Sequence, residues 1–302
     1  MANVLVHGGA GRWRGQDGEA AVAGVRAAAR AGAEALAGGG GALDAAVAAV
    51  AVMEDDPVFN AGTGAALDLD GRARMDAGVM DGQPLTTGAV ALLEGIRSPV
   101  TVARAVMERS GHCLLAGDGA GRFARALGFA DHDPVTAAAR ERWRRRREAL
   151  AADAGGPDDG LARLLAEHPG DTVGAVVRDD AGRMAVATST GGTGLKLAGR
   201  IGDSPLAGAG FYADRRCAVA ATGSGEQMIR FGAARAVAER IRAGQAPQQA
   251  VDGVLADMAA QVGEETGLIA VDAVGRAGAG HRTAAMPHAL AEGESLTARS
   301  AC

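Results

Sequence analysis

Cysteine is nearly absent: the chain of 302 residues has three, Cys113, Cys217 and Cys302. No two stand at metal-ligand spacing, and an odd number in a chain without a secretion signal argues against a disulfide framework. They read as small buried hydrophobes. Long apolar runs are also missing. No stretch reaches the roughly 18 uninterrupted apolar residues of a membrane span, and Met1 to Arg12 lacks the charged end and apolar core of a signal peptide. A cytoplasmic protein without membrane contact is expected. A large excess of charge of one sign is missing as well. The net charge is −5 and the basic residues are scattered apart from one run, so no nucleic-acid footprint is indicated and a small polar substrate is easier to accommodate. Lysine occurs once, at Lys196, which leaves one candidate for any lysine-dependent mechanism.

What is present is a chain 48% hydrophobic, enough to bury a large core as one large domain or two ordinary ones. Val4, Leu5 and Val6 run as a short strand into the turn His7-Gly8-Gly9-Ala10-Gly11. Helical spacing of small apolar residues follows over Glu19 to Leu36, stopped by Gly38 to Gly41, and again over Leu43 to Met53. Asp70-Gly71 inside Leu67 to Met80 predicts a hairpin. Val173 to Arg178 and Met184 to Ala187, joined through Asp179 to Arg183, predict a second, and Leu268 to Asp272 a further strand. Helical patterns return over Val100 to Met107, Gly119 to Leu127 and Glu226 to Ile241. Antiparallel pairs mixed with packing helices imply an α+β fold with helices layered on sheet. The segment from Asp131 to Gly170 departs from the rest, with Arg142 and Arg144 to Arg147 around Trp143, and reads as a surface or mobile linker whose arginines lie on a solvated helix face.

That linker ends at Asp171, and Thr172 opens the strand Val173-Gly174-Ala175-Val176-Val177. A threonine where a loop meets a strand is common and says little alone. Downstream, however, come loops made of hydroxyls and small residues: Thr188-Ser189-Thr190-Gly191-Gly192, Gly199-Arg200-Ile201-Gly202-Asp203-Ser204-Pro205 and Thr222-Gly223-Ser224-Gly225-Glu226. Glycine-rich backbone can turn N–H groups toward an anionic centre, and the last loop directly precedes a helix, whose dipole adds positive potential. These are the parts from which an oxyanion hole is made; each loop taken singly is also an ordinary tight turn.

The order and spacing of these blocks resemble the plant-type asparaginases and isoaspartyl peptidases, with the aspartylglucosaminidases and the taspase-type endopeptidase as relatives. The carriers are His7 to Gly11, Glu54-Asp55-Asp56-Pro57-Val58-Phe59-Asn60-Ala61-Gly62, Met75-Asp76-Ala77, Val79 to Gly82, Thr172 to Val176, Thr188 to Gly192, Gly199 to Pro205 and Ala221 to Gly223, spread over nearly the whole chain. The resemblance implies a four-layer αββα N-terminal-nucleophile hydrolase sandwich, made as one precursor of a single domain, residues 1–302. Cleavage between Asp171 and Thr172 would yield an α subunit, 1–171, ending in the linker 131–171, and a β subunit, 172–302. An internal threonine has no free amine, whereas an N-terminal one carries an α-amino group of pKa about 7.7–8 beside its own hydroxyl.

The resemblance further implies Thr172 as nucleophile, Thr190 orienting it, Thr222 and Gly223 holding the oxyanion, Arg200 on a substrate α-carboxylate, and Asp203 and Gly225 on its α-ammonium, with Asn60 near the nucleophile. The Arg200 fork suits a carboxylate, although Arg200 and Asp203 three residues apart also fit a surface ion pair, and Asn60 also fits a turn. Catalysis independent of metals is expected, because the six histidines lie apart in sequence. The Met53 to Thr63 loop resembles one that holds a structural sodium ion in some relatives. Family habit implies a dimer of αβ heterodimers. Asp171 stands where the asparaginase branch has glycine and looks more like the aspartylglucosaminidase and taspase branches, and Gly278 to Ala291 lacks aromatics found in asparaginases. The substrate choice is therefore L-asparagine or β-aspartyl dipeptides, with a glycosylasparaginase or narrow peptidase as the rival. An unprocessed amino-acid-binding scaffold is the rival outside enzymes. A nucleotide-binding module is disfavoured, since no G-x-x-x-x-G-K-[ST] occurs.

Overall fold

The computed structural model describes residues 2–13, 15–152, 171–293 and 295–300. Its first half runs β1 (Asn3–His7), α1 (Gly15–Ala37), α2 (Ala42–Asp55), β2 (Met75–Asp81), β3 (Thr86–Leu93), α3 (Pro99–Arg109), β4 (Leu114–Ala116), α4 (Gly117–Ala126) and α5 (Ala137–Ala152). The second half runs β5 (Val173–Arg178), β6 (Met184–Thr190), β7 (Phe211–Ala213), β8 (Cys217–Gly223), α6 (Gly225–Phe231), α7 (Ala233–Arg242), α8 (Pro247–Gln261), β9 (Thr266–Asp272), β10 (Ala277–His281), β11 (Pro287–Glu292) and β12 (Ser295–Ser300).

The strands form two sheets: an eight-stranded one, ordered β12-β11-β1-β5-β6-β2-β3-β4, and a four-stranded one, β10-β9-β8-β7. All pairings in them are antiparallel except β3 with β4. Strand parity decides which side chains go where, because alternate residues face opposite sides of a sheet. Val4, Val6, Val173, Ala175 and Val177 join the core formed with α1 and α2, whereas Leu5, Val176 and Val186 join a second core with β8, β9, α7 and α8. Helices α1, α2 and α3 pack on the large sheet, α7 and α8 on the small one, and β5 meets both β8 and β9 between them. This is a mixed α+β fold. Among the described residues no helix is long and apolar enough to cross a membrane.

Several expected elements are where the pattern put them, including the β5–β6 hairpin. Asp70-Gly71 is a turn but not the tip of a hairpin. The Asp68 carboxylate accepts the N–H groups of Asp70 and Arg72 (2.9 and 3.0 Å), closing the loop on itself. Backbone of the flanking residues is spent elsewhere, Leu69 N–H on Lys196 O and Leu67 O on Leu195 N–H. The hairpin lies one step later, β2 with β3. The long helix expected over Glu226 to Ile241 is split at Gly232, which takes a left-handed φ of 69° and separates α6 from α7. Cys217 is buried as expected; Cys113 is exposed, and Cys302 lies outside the described residues.

Of the segment expected to form a linker, residues 137–152 are helix α5, and 153–170 lie outside the described residues. Trp143 fastens α5: its indole Nε1–H donates to Asp68 O at 2.7 Å and its ring packs with Leu67, Ala73 and Met75.

Candidate active site

Thr172 stands one residue ahead of β5, and parity places it with Gly174 and Val176 on the side of β5 that faces the small sheet. Its partner there is Thr222 on β8, whose hydroxyl oxygen accepts the Thr172 N–H and the Ala10 N–H, each at 3.2 Å. The Thr172 hydroxyl lies 3.1 Å from the Ser204 hydroxyl. Thr172, Thr222 and Ser204 are all buried.

The preceding peptide is held with equal care. The carbonyl oxygen of Asp171 accepts the Thr190 hydroxyl at 2.8 Å and the Asn60 side-chain N–H at 3.1 Å. Asn60 is fixed in turn, donating to Gly192 O at 2.7 Å and accepting the Ala66 N–H at 2.7 Å. Thr190 Oγ1 accepts the Gly192 N–H at 2.9 Å. Two polar hydrogens thus converge on one carbonyl whose carbon is bonded to the Thr172 nitrogen.

The Asp171 side chain is inserted against the glycine turn after β1. A Cβ on Gly9, whose φ is 107°, would come within 2.8 Å of it, and one on Gly11 within 2.6 Å, so only glycine leaves the space. Burial pushes its carboxyl up to about 7, Arg146 pulling the other way. His7 is packed beneath, too close to Gly174 for any side chain there, and burial, with His288 nearby, lowers its pKa to about 3. It is a neutral imidazole that adds no charge at Thr172.

A charged loop lies beside this centre. Arg200 donates Nε–H and Nη2–H to the two oxygens of Glu226, both at 2.9 Å. Its Nη1 edge faces Gly192 and Gly202. Burial disfavours the guanidinium, but the carboxylates of Glu226, Asp203 and Asp76 together outweigh it and the pKa rises. Asp203 is buried, its carboxyl pushed up to about 7 by burial against the pull of Arg200, and its Oδ2 has no hydrogen-bond partner among the described residues. Gly225, the first residue of α6, sits against both: a Cβ would lie 2.7 Å from Arg200 Nη2 and 3.0 Å from Asp203 Oδ1. Behind the loop, Asp76 accepts the N–H groups of Leu92 (2.8 Å) and Gly202 (3.4 Å), and buried Lys196 donates to Arg74 O at 2.6 Å. Burial lowers the Lys196 pKa, with Asp76 opposing.

The fold therefore gathers Thr172, Thr190, Thr222, Asn60 and Asp171 at one point, and Arg200, Asp203 and Gly225 at a neighbouring one. Gly223 ends β8 with φ 126°, against the Glu265 carbonyl. Ser204 and Glu226 carried no role in the sequence, and Arg146 read there as one of a run on a solvated helix face. The first two stand inside the quoted blocks, next to Asp203 and Gly225, so adjacency was a usable signal; Arg146 had none.

The sequence profile of a family described as asparaginase matches residues 1–299. A plant-type L-asparaginase of Pyrococcus abyssi (strain GE5 / Orsay) is 42% identical over 296 residues, covering 96% of each chain. An isoaspartyl peptidase/L-asparaginase of Danio rerio is 41% identical over 273 residues, 89% of this chain and 85% of its own. The protein of that name from Homo sapiens is 40% identical over 291 residues, 96% of this chain and 92% of its own.

Proposed function

This chain belongs to the asparaginase family, and from that premise we propose that it is a threonine amidohydrolase that severs its own Asp171–Thr172 bond and then hydrolyses L-asparagine and β-aspartyl dipeptides. The observation that carries this reading is the pair of donors, Thr190 Oγ1 and Asn60 Nδ2, on the carbonyl oxygen of Asp171. Donors aimed at a backbone carbonyl next to a buried hydroxyl are what attack on that carbonyl requires.

In the first reaction the Thr172 hydroxyl adds to the Asp171 carbonyl carbon. Asn60 and Thr190 stabilise the oxyanion, the C–N bond breaks, and an ester links Asp171 to Thr172 Oγ. Water hydrolyses the ester, leaving a carboxylate on Asp171 and a free amine on Thr172. That amine then takes the hydroxyl proton as Thr172 Oγ attacks the side-chain amide of the substrate. Ammonia or an amine departs, and water releases aspartate from the acyl-enzyme. Thr222, which already binds the Thr172 nitrogen, and Gly223 N–H are the oxyanion donors of this second reaction. Arg200 takes the substrate α-carboxylate on its Nη1 edge, while Asp203 Oδ2 and Gly225 take the α-ammonium.

The helix packing on each sheet supports an αββα sandwich as one domain, in which residues 1–171 and 172–302 would be interleaved subunits. A dimer of such heterodimers goes with the family habit. A cytoplasmic setting goes with it. In the Met53 to Thr63 loop the carbonyl oxygens of Pro57 and Phe59 crowd the same side of Gly64, a donor set suited to a hard cation such as sodium, which would stiffen the loop that carries Asn60.

The test is intact mass of purified wild type and Thr172→Ala after incubation at neutral pH, followed by assay on asparagine, a β-aspartyl dipeptide and a glycosylasparagine. Two fragments meeting at Asp171 and Thr172 in the wild type alone, with activity on the first two substrates, is the expected result. An uncut wild type would turn the reading to an amino-acid-binding scaffold, and turnover of the third substrate alone to a glycosylasparaginase.

A further inference from the structure

The Thr172 hydroxyl has one hydrogen-bond partner among the described residues, the Ser204 hydroxyl at 3.1 Å, and Ser204 Oγ has that same single partner. Both side chains are buried, so bulk water cannot take the place of either. Ser204 itself is held from several directions. Its carbonyl oxygen accepts the Thr188 hydroxyl of β6 at 2.9 Å. A Cβ on Gly78 of β2 would stand 2.9 Å from that oxygen, and one on Gly210 would stand 2.9 Å from Ser204 Cα, so the chain closes on the serine from two sides. Pro205 follows, and a proline restricts the residue before it to extended backbone. A serine on a fixed backbone has only χ1 left to set, and the bond to Thr172 sets it.

The peptide on the other side of this contact is equally fixed. Thr222 binds the Thr172 N–H, and Asn60 and Thr190 bind the Asp171 carbonyl oxygen. What remains free at Thr172 is its own χ1, which has three staggered wells and decides where Oγ stands. We propose that Ser204 is the positioning residue of the nucleophile: its hydroxyl selects the Thr172 rotamer from which Oγ attacks, first the Asp171 carbonyl and then the substrate amide. The inference rests on the self-cleaving hydrolase reading above. The Thr190 hydroxyl is engaged with Asp171 O and the Gly192 N–H, so the direct hold on the Thr172 hydroxyl falls to Ser204.

Serine is not a base at neutral pH, and it does not remove the Thr172 proton. It donates or accepts one hydrogen bond and so fixes the direction of the Oγ lone pairs, which an attack on a carbonyl carbon requires to be aligned. The bland alternative is that two buried hydroxyls merely satisfy each other. Chain position separates the two roles. Ser204 directly follows Asp203, whose Oδ2 is the group proposed for the substrate ammonium. A serine that only packs this loop would, when changed, move Asp203 and weaken substrate binding. A serine that aims Thr172 would, when changed, slow both reactions and leave binding as it was.

The experiment compares wild type, Ser204→Ala and Ser204→Thr. Self-cleavage is followed by intact mass against time at neutral pH, kcat and KM for asparagine are measured on the matured chains, and the melting temperature of each is recorded. Ser204→Ala should cut itself about tenfold more slowly and, once matured, show a kcat lower by about tenfold with KM within about twofold of wild type, the scale of one lost hydrogen bond. Ser204→Thr restores a hydroxyl on the same backbone and should recover most of both rates. Wild-type rates in Ser204→Ala, or a raised KM with kcat unchanged, would overturn the proposal and leave the hydrolase reading standing. Equal slowing in the two variants would assign the effect to packing of the loop and overturn it as well. A wild type that stays uncut removes the self-cleavage reading and this proposal with it.

Discussion

The two halves of the site are built differently. Around Thr172 the groups are neutral hydroxyls, amides and backbone, each already engaged: Thr222 with two N–H groups, Asn60 with three partners, Thr190 with two. Around Arg200 the groups are ions held partly in balance, the guanidinium by Glu226 on one edge and Asp203 with an oxygen to spare. Neutral donors fixed by strands can meet a developing oxyanion without rearranging, which is where such donors act most strongly. The charged groups, in contrast, depend on protonation for their strength, and in the proposed function a zwitterionic substrate would complete them. On the proposed function, the neutral half is expected to govern rates and the charged half substrate affinity and its pH dependence.

Breaking the neutral half should give the largest effects. Thr172→Ala should lose both self-cleavage and amide hydrolysis, seen as a single full-length mass and no ammonia release. Asn60→Ala removes one of the two donors on the Asp171 carbonyl and should slow self-cleavage by about a hundredfold or more, read from the mass time course. Arg200→Lys tests the separation from the other side. It gives up the planar fork and should lower kcat/KM for asparagine by about 10- to 100-fold, chiefly through KM, while the chain still cuts itself at the wild-type rate.

Smaller effects sharpen the same division. Asp203 is ionised only above about 7, so substrate affinity should improve as pH rises through that value. Asp203→Asn should bind more weakly and lack that limb of 1/KM against pH, whereas the limb of kcat that follows the Thr172 amine should remain. Glu226→Gln keeps the shape of the side chain and removes the charge, and should raise KM a few-fold with kcat unchanged. A change in self-cleavage rate equal to the change in KM, in any of the three charged variants, would show that the two halves are one.

Legibility from sequence followed chain distance. The blocks of glycines and hydroxyls that hold Thr172, Thr190, Arg200, Asp203 and Thr222 were legible as candidate loops, their roles being implied by the family resemblance, and β5 with β6 was legible because a tight turn joins two alternating runs. The Asp70-Gly71 turn misled because Asp68 closes it locally and its neighbours hydrogen-bond to the Leu195–Lys196 backbone, a partner more than a hundred positions away. The role of Gly9 and Gly11 in making room for Asp171, the Thr172–Ser204 contact and the packing of Arg146 against Gly194 all join segments remote in the chain, and no local spacing encodes them.

By itself the sequence determined the alternation that sorts β1, β5 and β6 between two cores, the glycines that permit the left-handed turns at Gly9 and Gly223, and the supply of hydroxyls at strand ends. Those are properties of single residues and near neighbours, where sterics and period-two geometry act. Only the tertiary structure decided which hydroxyl meets which nitrogen, that Asn60 and Thr190 share one carbonyl, and that Arg146 of the arginine run packs against Gly194. Such choices depend on how sheets and helices pack, since burial removes competing water and makes each remaining polar contact specific.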